Sequence, residues 1–415
     1  MSKQAKITRR TTLATGLTAA AGVMVGGPAR AQAKDVKVAL IVPLSGKWAR
    51  QGELEQKGAQ MAIDEINAAG GIKSMGGAKM QMVVADAGDS TESAKNAAQR
   101  LVANEPDLVG GVGAWLSTLT IAVTEVTERA ELPWFTLSYA DSITSRGFKY
   151  VFQTSMTGDV QAIEGLPTII QLAKSATGKA PKSVAMISDN TAAPQSYAKP
   201  MRDPAIMEKH GVKLVVDEVF NPGLADATPL VQKLRSARPD FLLLLSTNVN
   251  DDKLFAEKLN EMGLGKGKLP VIGNGAHWGA PELLSLAGKD ILEGVMVTLA
   301  NWSGKSQADL VKRFKEKTGE AWMGQDSICP YGEYWIIKEA LEKVGVADKR
   351  KVGEAVHAMS LNDGPANVFP GKPLKFDAAG RRVGAELVIV QWQNGEPVWV
   401  YPPDNATNKP IWPKA

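Results

Sequence analysis

A single cysteine, Cys329, stands in a chain of 415 residues. That excludes an internal disulfide and any metal centre built from several thiolates, and leaves Cys329 as a small buried apolar residue. Histidine is nearly as scarce: His210, His277 and His357 are the only three, and no two have the spacing of a zinc site. His210 precedes Gly211, where a helix C-terminus and its dipole account for it. His357 lies in a helical stretch and reads as structural. No G-x-S-x-G nucleophile elbow occurs. Gly304-Lys305-Ser306 resembles the end of a phosphate loop, but Leu299 stands where its first glycine belongs. The glycines at 110–113 lack the third glycine of a dinucleotide fingerprint, and Leu116 occupies that place. The chain therefore reads as no enzyme, with no cofactor and no metal.

A surplus of positive charge is also missing from the body of the chain. The formal charge is +4, but residues 1–33 hold Lys3, Lys6, Arg9, Arg10 and Arg30 and no acid; without them it is −1. Nothing then suggests a nucleic-acid or membrane surface. Residues 1–33 read instead as an export signal: a basic start, a mildly apolar stretch over 13–25, and small-x-small cleavage sites ending at Ala31 and Ala33. The apolar stretch is too short for a membrane span. Arg9-Arg10 looks like a twin-arginine signal, although Thr12 stands where that signal usually has a large apolar residue, so the ordinary secretory route stays open. Cleavage near Ala31 or Ala33 would leave the mature chain outside the cytoplasm.

The rest is too long for one compact core, so two lobes are expected. The organising stretch is 36–71. Residues 36–42 form a short β-branched apolar run, which suits a strand covered on both faces of a parallel sheet. Pro43 and Gly46 break it into a loop. Ala59, Ala62, Ile63 and Ile66 then recur at helical spacing, and Gly70-Gly71 ends the helix. Strands at 79–86, 108–113 and 133–137 alternate with helices at 91–104 and 117–129, Ser117 serving as N-cap of the latter. A second series begins near 153, with strands at 183–188, 212–219, 240–245 and 271–273. Helices follow at about 307–318, 327–344 and 351–359, and a hairpin turning on Asn394-Gly395 closes the chain before a proline-rich surface tail. The fold class is α/β, with two doubly wound parallel-sheet lobes.

Pro43-Leu44-Ser45-Gly46, followed by GAQMAIDEINAAGGI over 58–72, resembles the opening of extracytoplasmic solute-binding proteins of the leucine/isoleucine/valine type, the capture subunits of ABC importers. The likeness covers most of the chain after residue 33. It implies a type I periplasmic binding protein fold with three hinge crossovers, near 153, 299 and 365. Residues 34–153 plus 300–365 would form the first lobe, and 154–299 plus 366–415 the second. It also implies a monomer that passes a small solute to permease and ATPase subunits, with no nucleic-acid partner and no membrane insertion.

In open α/β sheets, ligands sit beyond the carboxyl ends of the strands. Six loops qualify, at 45–51, 115–118, 138–141, 189–193, 246–248 and 274–278. They supply the candidate ligand-binding residues Ser45, Trp48, Gln51, Trp115, Ser117, Thr118, Ser138, Tyr139, Asp189, Asn248, Asn274, His277 and Trp278. Ser117 and Thr118 stand at a helix N-terminus, which favours an anion. By the resemblance, this position and the loop after the next strand hold the ligand's carboxylate. Helix capping explains Ser117 as well, and loop packing explains Ser138 and Tyr139. Trp48, Trp115 and Trp278 offer flat apolar walls, or pack within their own lobes. His277 is the one histidine in a cleft loop.

Amino-acid-binding members hold the ligand's ammonium with a tyrosine and an acid of the second lobe, and those positions match Ala193 and Gly275 here. The family's frequent first-lobe cysteine pair is absent, with Gly88 and Leu116 at those places. A cation enclosed without an acid would be costly. The expected ligand is therefore a small carboxylate, aromatic or aliphatic, or a similar polar acceptor such as an amide, without an α-ammonium, unless Asp141 or Asp189 supplies the acid. Amino-acid binding, a ligand-sensing subunit, and an enzyme using His277 as base are the alternatives.

Overall fold

The computed structural model describes residues 34–412, so the export-signal reading of residues 1–33 lies outside it. The first sheet is built from β1 (Val36–Val42), β2 (Met80–Asp86), β3 (Leu108–Gly113), β4 (Trp134–Thr136) and β5 (Val151–Gln153). Between them run α1 (Ala49–Ala68), α2 (Thr91–Asn104) and α3 (Ser117–Arg129). The strand order is β2-β1-β3-β4-β5, all parallel. β1 is covered on both faces, as its unbroken apolar run requires.

The chain then passes through α4 (Gly158–Thr177) into a second sheet. Its parallel part contains β6 (Ser183–Asp189), β7 (Lys213–Phe220), β8 (Phe241–Leu245), β9 (Val271–Asn274) and β10 (Met296–Leu299). The connections hold α5 (Ala192–Met201), α6 (Pro204–Lys209), α7 (Thr228–Ala237), α8 (Val249–Glu261), α9 (Pro281–Ala287) and α10 (Lys289–Leu292). The order β7-β6-β8-β9-β10 repeats that of the first sheet. Side-chain alternation divides this sheet's packing into two cores. Ile187, Leu242 and Leu244 point into one. Met186, Leu243 and Leu245 point into the other. Both sheets thus place a switch in strand order beside their first strand, where a doubly wound sheet opens a crevice.

After β10 come α11 (Ala308–Thr318), α12 (Gln325–Val344) and α13 (Lys349–His357), then the short antiparallel pair β11 (Ser360–Leu361) and β12 (Leu374–Lys375). β13 (Val388–Gln393) and β14 (Glu396–Tyr401) form the expected hairpin and extend the second sheet antiparallel to β10. Asn394 at φ +57 and Gly395 at φ +86 make its turn, since a two-residue turn matching strand twist needs both centres left-handed. Phe314, Ile328, Ile337 and Val356 pack in the first sheet's core, and so do Phe369, Leu374 and Phe376. The chain joins the second sheet's packing at Leu387. Its third passage therefore falls after Phe376, later than residue 365. The proline-rich tail also departs from expectation. Trp412 is buried in the second sheet's packing, and Gln391 bonds the backbone of Ile411, so the tail seals a core face. Among the described residues no helix is long and apolar enough to cross a membrane.

α1 and α12 meet at Gly58, where an added Cβ would stand 2.0 Å from the Ser327 carbonyl oxygen. That oxygen belongs to backbone and cannot swing away. Gly58→Ala is expected to cost about 1–3 kcal/mol through overpacking, read as a lower midpoint in denaturant. The same interface buries Glu55 and Glu333, both 0 % exposed. Among the described residues neither oxygen of Glu55 has a hydrogen-bond partner. Burial, then the nearby Glu333 and Asp326, push the Glu55 carboxyl well above its usual range, and burial pushes Glu333 up to about 8. A carboxyl whose pKa rises on folding holds its proton in the native state. Its stabilisation is complete below the unfolded value, about 4.3, and is lost as pH climbs toward the folded value. Glu55→Gln is therefore expected to raise the melting temperature at about pH 8 and change it little at about pH 4.5.

Candidate ligand-binding site

The carboxyl ends of the two sheets face one narrow hollow of about 40 Å³. That is well below the roughly 300–1,000 Å³ of small-molecule sites, so the walls must part to admit a solute, as hinged lobes can. From the first sheet it is lined by Trp115, Leu116, Ser117, Leu137, Ser138 and Tyr139. From the second it is lined by Ala193, Pro194, Ser246, Thr247 and the loop from Asn274 to His277. Gln325 and Asp326, the first residues of α12, complete the wall.

Ser117 is the first helical residue of α3, and Leu116, not Ser117, is the N-cap. Its Oγ accepts the backbone N–H groups of Tyr139 (3.0 Å) and Ala140 (3.1 Å), which locks the loop after β4 onto the head of α3. The hydroxyl proton is left to donate. The Leu119 N–H already bonds the Leu116 carbonyl, but among the described residues the Ser117 and Thr118 N–H groups have no intrahelical acceptor, and the helix dipole adds to their pull on an anion. A carboxylate there gains about 1.5–3 kcal/mol per charge-assisted hydrogen bond.

Across the hollow, His277 is buried and its Nδ1 bonds Asp252 Oδ2 at 2.6 Å. Asp252 is held in turn by the Ser246 hydroxyl, which also accepts the Trp278 indole N–H. Burial alone would lower the imidazole pKa, but the Asp252 carboxylate outweighs it and the net shift is upward. Nδ1 is committed to Asp252. Nε2 has no partner among the described residues and lies against Gly275, where an added Cβ would sit 2.7 Å from it. A charged His277 thus has one N–H free for a ligand.

Trp115 forms a third wall. Its backbone is held at φ +62, a region that costs energy for a bulky residue and that clusters at functional sites. Its indole donates to Asp326 Oδ1 at 2.9 Å, and its ring meets His277 edge-on with centroids 6.3 Å apart. Burial raises Asp326 to about 6, despite the Trp115 N–H and the neighbouring His277.

Of the candidate residues, Trp115, Ser117, Ser138, Tyr139, Asn274 and His277 line the hollow. Ser138 is tied into the wall, its Oγ donating to the Trp115 carbonyl at 2.6 Å. The Tyr139 hydroxyl donates to Gln325 Oε1. Asn274 spends its amide N–H groups on Gln161 and Thr298. The other seven do not line it. Ser45 is exposed and Gln51 is buried on α1. Trp278 packs in the core below the second sheet and reaches only Ser246, so its packing role prevails. Asn248 caps α8, its side chain accepting the Asn250 N–H. Asp189 accepts from Thr191 and Thr247, which fix the loop after β6.

Trp48 and Thr118 instead join the two sides. The Trp48 indole donates to the Thr247 carbonyl at 3.0 Å, and the Ala192 N–H donates to Thr118 Oγ1 at 3.1 Å. Ser196 and Asp141 add a third link, and Arg50 reaches Glu282 at 2.6 Å and Glu320 at 2.6 Å. Arg50→Ala removes a rim link without touching the hollow. A partly exposed pair is worth up to about 1 kcal/mol, so affinity for any bound solute is expected to fall about three- to fivefold in titration calorimetry.

Gln325 and Asp326 are site residues the sequence reading missed. It began α12 at 327, two residues late, which left them in a connecting segment. An acid in a first helical turn was their one signal. Asp326, rather than Asp141 or Asp189, is the acid that reaches the hollow. Among the described residues no group of three or more His, Cys, Asp or Glu side chains is placed to hold a metal ion.

A family model described as periplasmic binding protein matches residues 35–397. The Leu/Ile/Val-binding protein homolog 8 of Brucella melitensis is 30% identical over 389 residues, covering 90% of this chain and 92% of that one. Among solved structures, the branched-chain amino acid transporter substrate binding protein LivJ of Streptococcus pneumoniae, in complex with isoleucine, superposes with a TM-score of 0.74. It is 22% identical, over 88% of this chain and all of that one. A solute binding protein of an ABC transporter from R. palustris, in complex with benzoate, gives 0.72 at 17% identity, over 92% of this chain and all of that one. At those identities the two structures speak for the fold. With the family model spanning both sheets and the relative aligned almost end to end, the chain belongs to the periplasmic binding protein family, as a substrate-binding protein of the branched-chain amino acid ABC-transporter type.

Proposed function

We propose that the hollow captures one small organic carboxylate in the periplasm, and that the chain delivers it unchanged to the permease and ATPase subunits of an importer. The observation that carries this reading is the placement of the α3 head and Ser117 in the same enclosure as His277. One supplies neutral donors with a dipole, the other an imidazole whose pKa is raised. The lining contains no lysine or arginine, so these groups carry the recognition of an anion. Trp115, Leu116, Leu137 and Pro194 suit an apolar or aromatic remainder. The R. palustris protein in complex with benzoate shares the fold and lends support.

A second reading has its own observation. Gly275 stands where an acid would hold an α-ammonium, yet Asp326 brings an acid into the hollow from α12. An ionised Asp326 would hold an ammonium, as a branched-chain amino acid requires. A calorimetric comparison of benzoate, isoleucine and an uncharged amide separates the readings. Micromolar binding, about −8 kcal/mol, of benzoate but not of isoleucine supports the carboxylate. The reverse order assigns Asp326 the ammonium.

A further inference from the structure

One face of α12 carries Gln325, Cys329 and Glu333, four residues apart and therefore in one row along the helix. The row is buried throughout. Its members touch the segments by which the chain passes between the two sheets. Gln325 Oε1 accepts three donors: the Tyr139 hydroxyl at 2.7 Å and the backbone N–H groups of Ala300 and Asn301 at 3.1 Å each. Ala300 and Asn301 directly follow β10, at the start of the second passage. Asn301 Nδ2 reaches Cys329 Sγ at 3.4 Å and the Val368 carbonyl at 3.1 Å. Glu333 Oε1 accepts the Thr154 hydroxyl at 2.6 Å, at the start of the first passage. Arg382, in the third, donates to the carbonyl of Thr154 at 2.8 Å. One rigid helix thus braces the passages that must turn if the lobes move.

Gln325 is also the member of the row that lines the hollow. We infer that Gln325 is a positioning residue that ties the ligand-facing Tyr139 to the second passage, so that occupancy of the hollow and the setting of the hinge are read through one carboxamide oxygen. The inference rests on the hollow being the solute site. Its chemical logic is that of a shared acceptor. Three donors converge on one oxygen inside the protein, and none can turn to water if it is lost. A ligand that presses on Tyr139 therefore presses on the Ala300 and Asn301 amides.

The test uses the full chain with Gln325→Met, Gln325→Glu and Tyr139→Phe, and two probes, benzoate and isoleucine. Hydrogen exchange of the peptide spanning 299–302, without any probe, is expected to rise about tenfold or more in Gln325→Met, and to return close to wild type in Gln325→Glu, which restores an acceptor oxygen. With whichever probe the wild type binds, Gln325→Met is expected to lose about tenfold or more in affinity and to contract less in small-angle scattering, and Tyr139→Phe to lose about two- to fivefold; the Gln325→Glu arm is read by exchange alone, because its added charge faces the hollow. The inference is overturned if Gln325→Met exchanges at 299–302, binds and contracts as the wild type does, or if Gln325→Glu exchanges at 299–302 as fast as Gln325→Met. Should Gln325→Met not fold, wild-type affinity and contraction in Tyr139→Phe overturn it. If the wild type binds neither probe, the solute reading fails by itself, and the exchange measurement still decides the link between Gln325 and the second passage.

Discussion

Affinity for benzoate is expected to fall by about tenfold or more as pH rises from about 5.5 to about 8. Two groups in the hollow drive this, and both act in the same direction. His277 carries a raised pKa, because the Asp252 carboxylate outweighs the effect of burial. Its charge, and with it the Nε2 proton, is present at low pH and lost as pH climbs. Asp326 is pushed up to about 6 by burial, so it is neutral at the acid end and becomes an anion above it. A carboxylate ligand loses an attractive partner and gains a repulsive neighbour over the same interval. An ammonium-bearing ligand behaves differently, since ionised Asp326 favours it. Isoleucine affinity would rise through about pH 6. The sign of the slope thus distinguishes the ligand classes before any site is mutated. In His277→Asn the benzoate slope should flatten and the affinity at about pH 6 should drop about 10- to 100-fold, the loss of one charge-assisted hydrogen bond.

Ser117→Ala is the second large effect, about 10- to 100-fold in affinity for a carboxylate. The substitution removes a donor to the ligand. It also strips the acceptor from Tyr139 N and Ala140 N, both of which bond Ser117 Oγ. The loop after β4 is then no longer locked onto α3, and two buried N–H groups lose their partner at a cost of about 1–3 kcal/mol each. Affinity and melting temperature should fall together, measured by calorimetry and thermal unfolding. A mutation of equally buried Thr124, which bonds the Thr120 and Ile121 carbonyls within its own helix, is expected to lower stability alone.

Much of this arrangement was written in local signals. The apolar run of β1, the helical spacing of α1 and the Asn394-Gly395 turn each dictate their structure through short-range chemistry. So did the alternation that yields two sheets of matching strand order. What stayed hidden depends on distant partners. Trp278 and Trp115 are alike in sequence, both in loops at strand ends, yet Trp278 fills the space above Gly273 while Trp115 is drawn to Asp326. Asn248 looked like a cleft residue because it stands in the loop at the end of a strand, and it is instead the cap of α8. Ser117 looked like a cap and is the acceptor that fastens a neighbouring loop. Gln325 and Asp326 come from a helix some two hundred residues away from Trp115, and no local pattern announces that they close the hollow.

The account turns on where a solute's carboxylate lies. A crystal structure of the mature chain grown with benzoate tests this most directly. The ligand is expected in the hollow with its carboxylate within hydrogen-bond reach of Ser117 Oγ and the first N–H groups of α3, its ring against Trp115, and its covalent structure intact. A benzoate bound outside the hollow, or one turned so that the head of α3 holds its ring and not its carboxylate, would contradict the account.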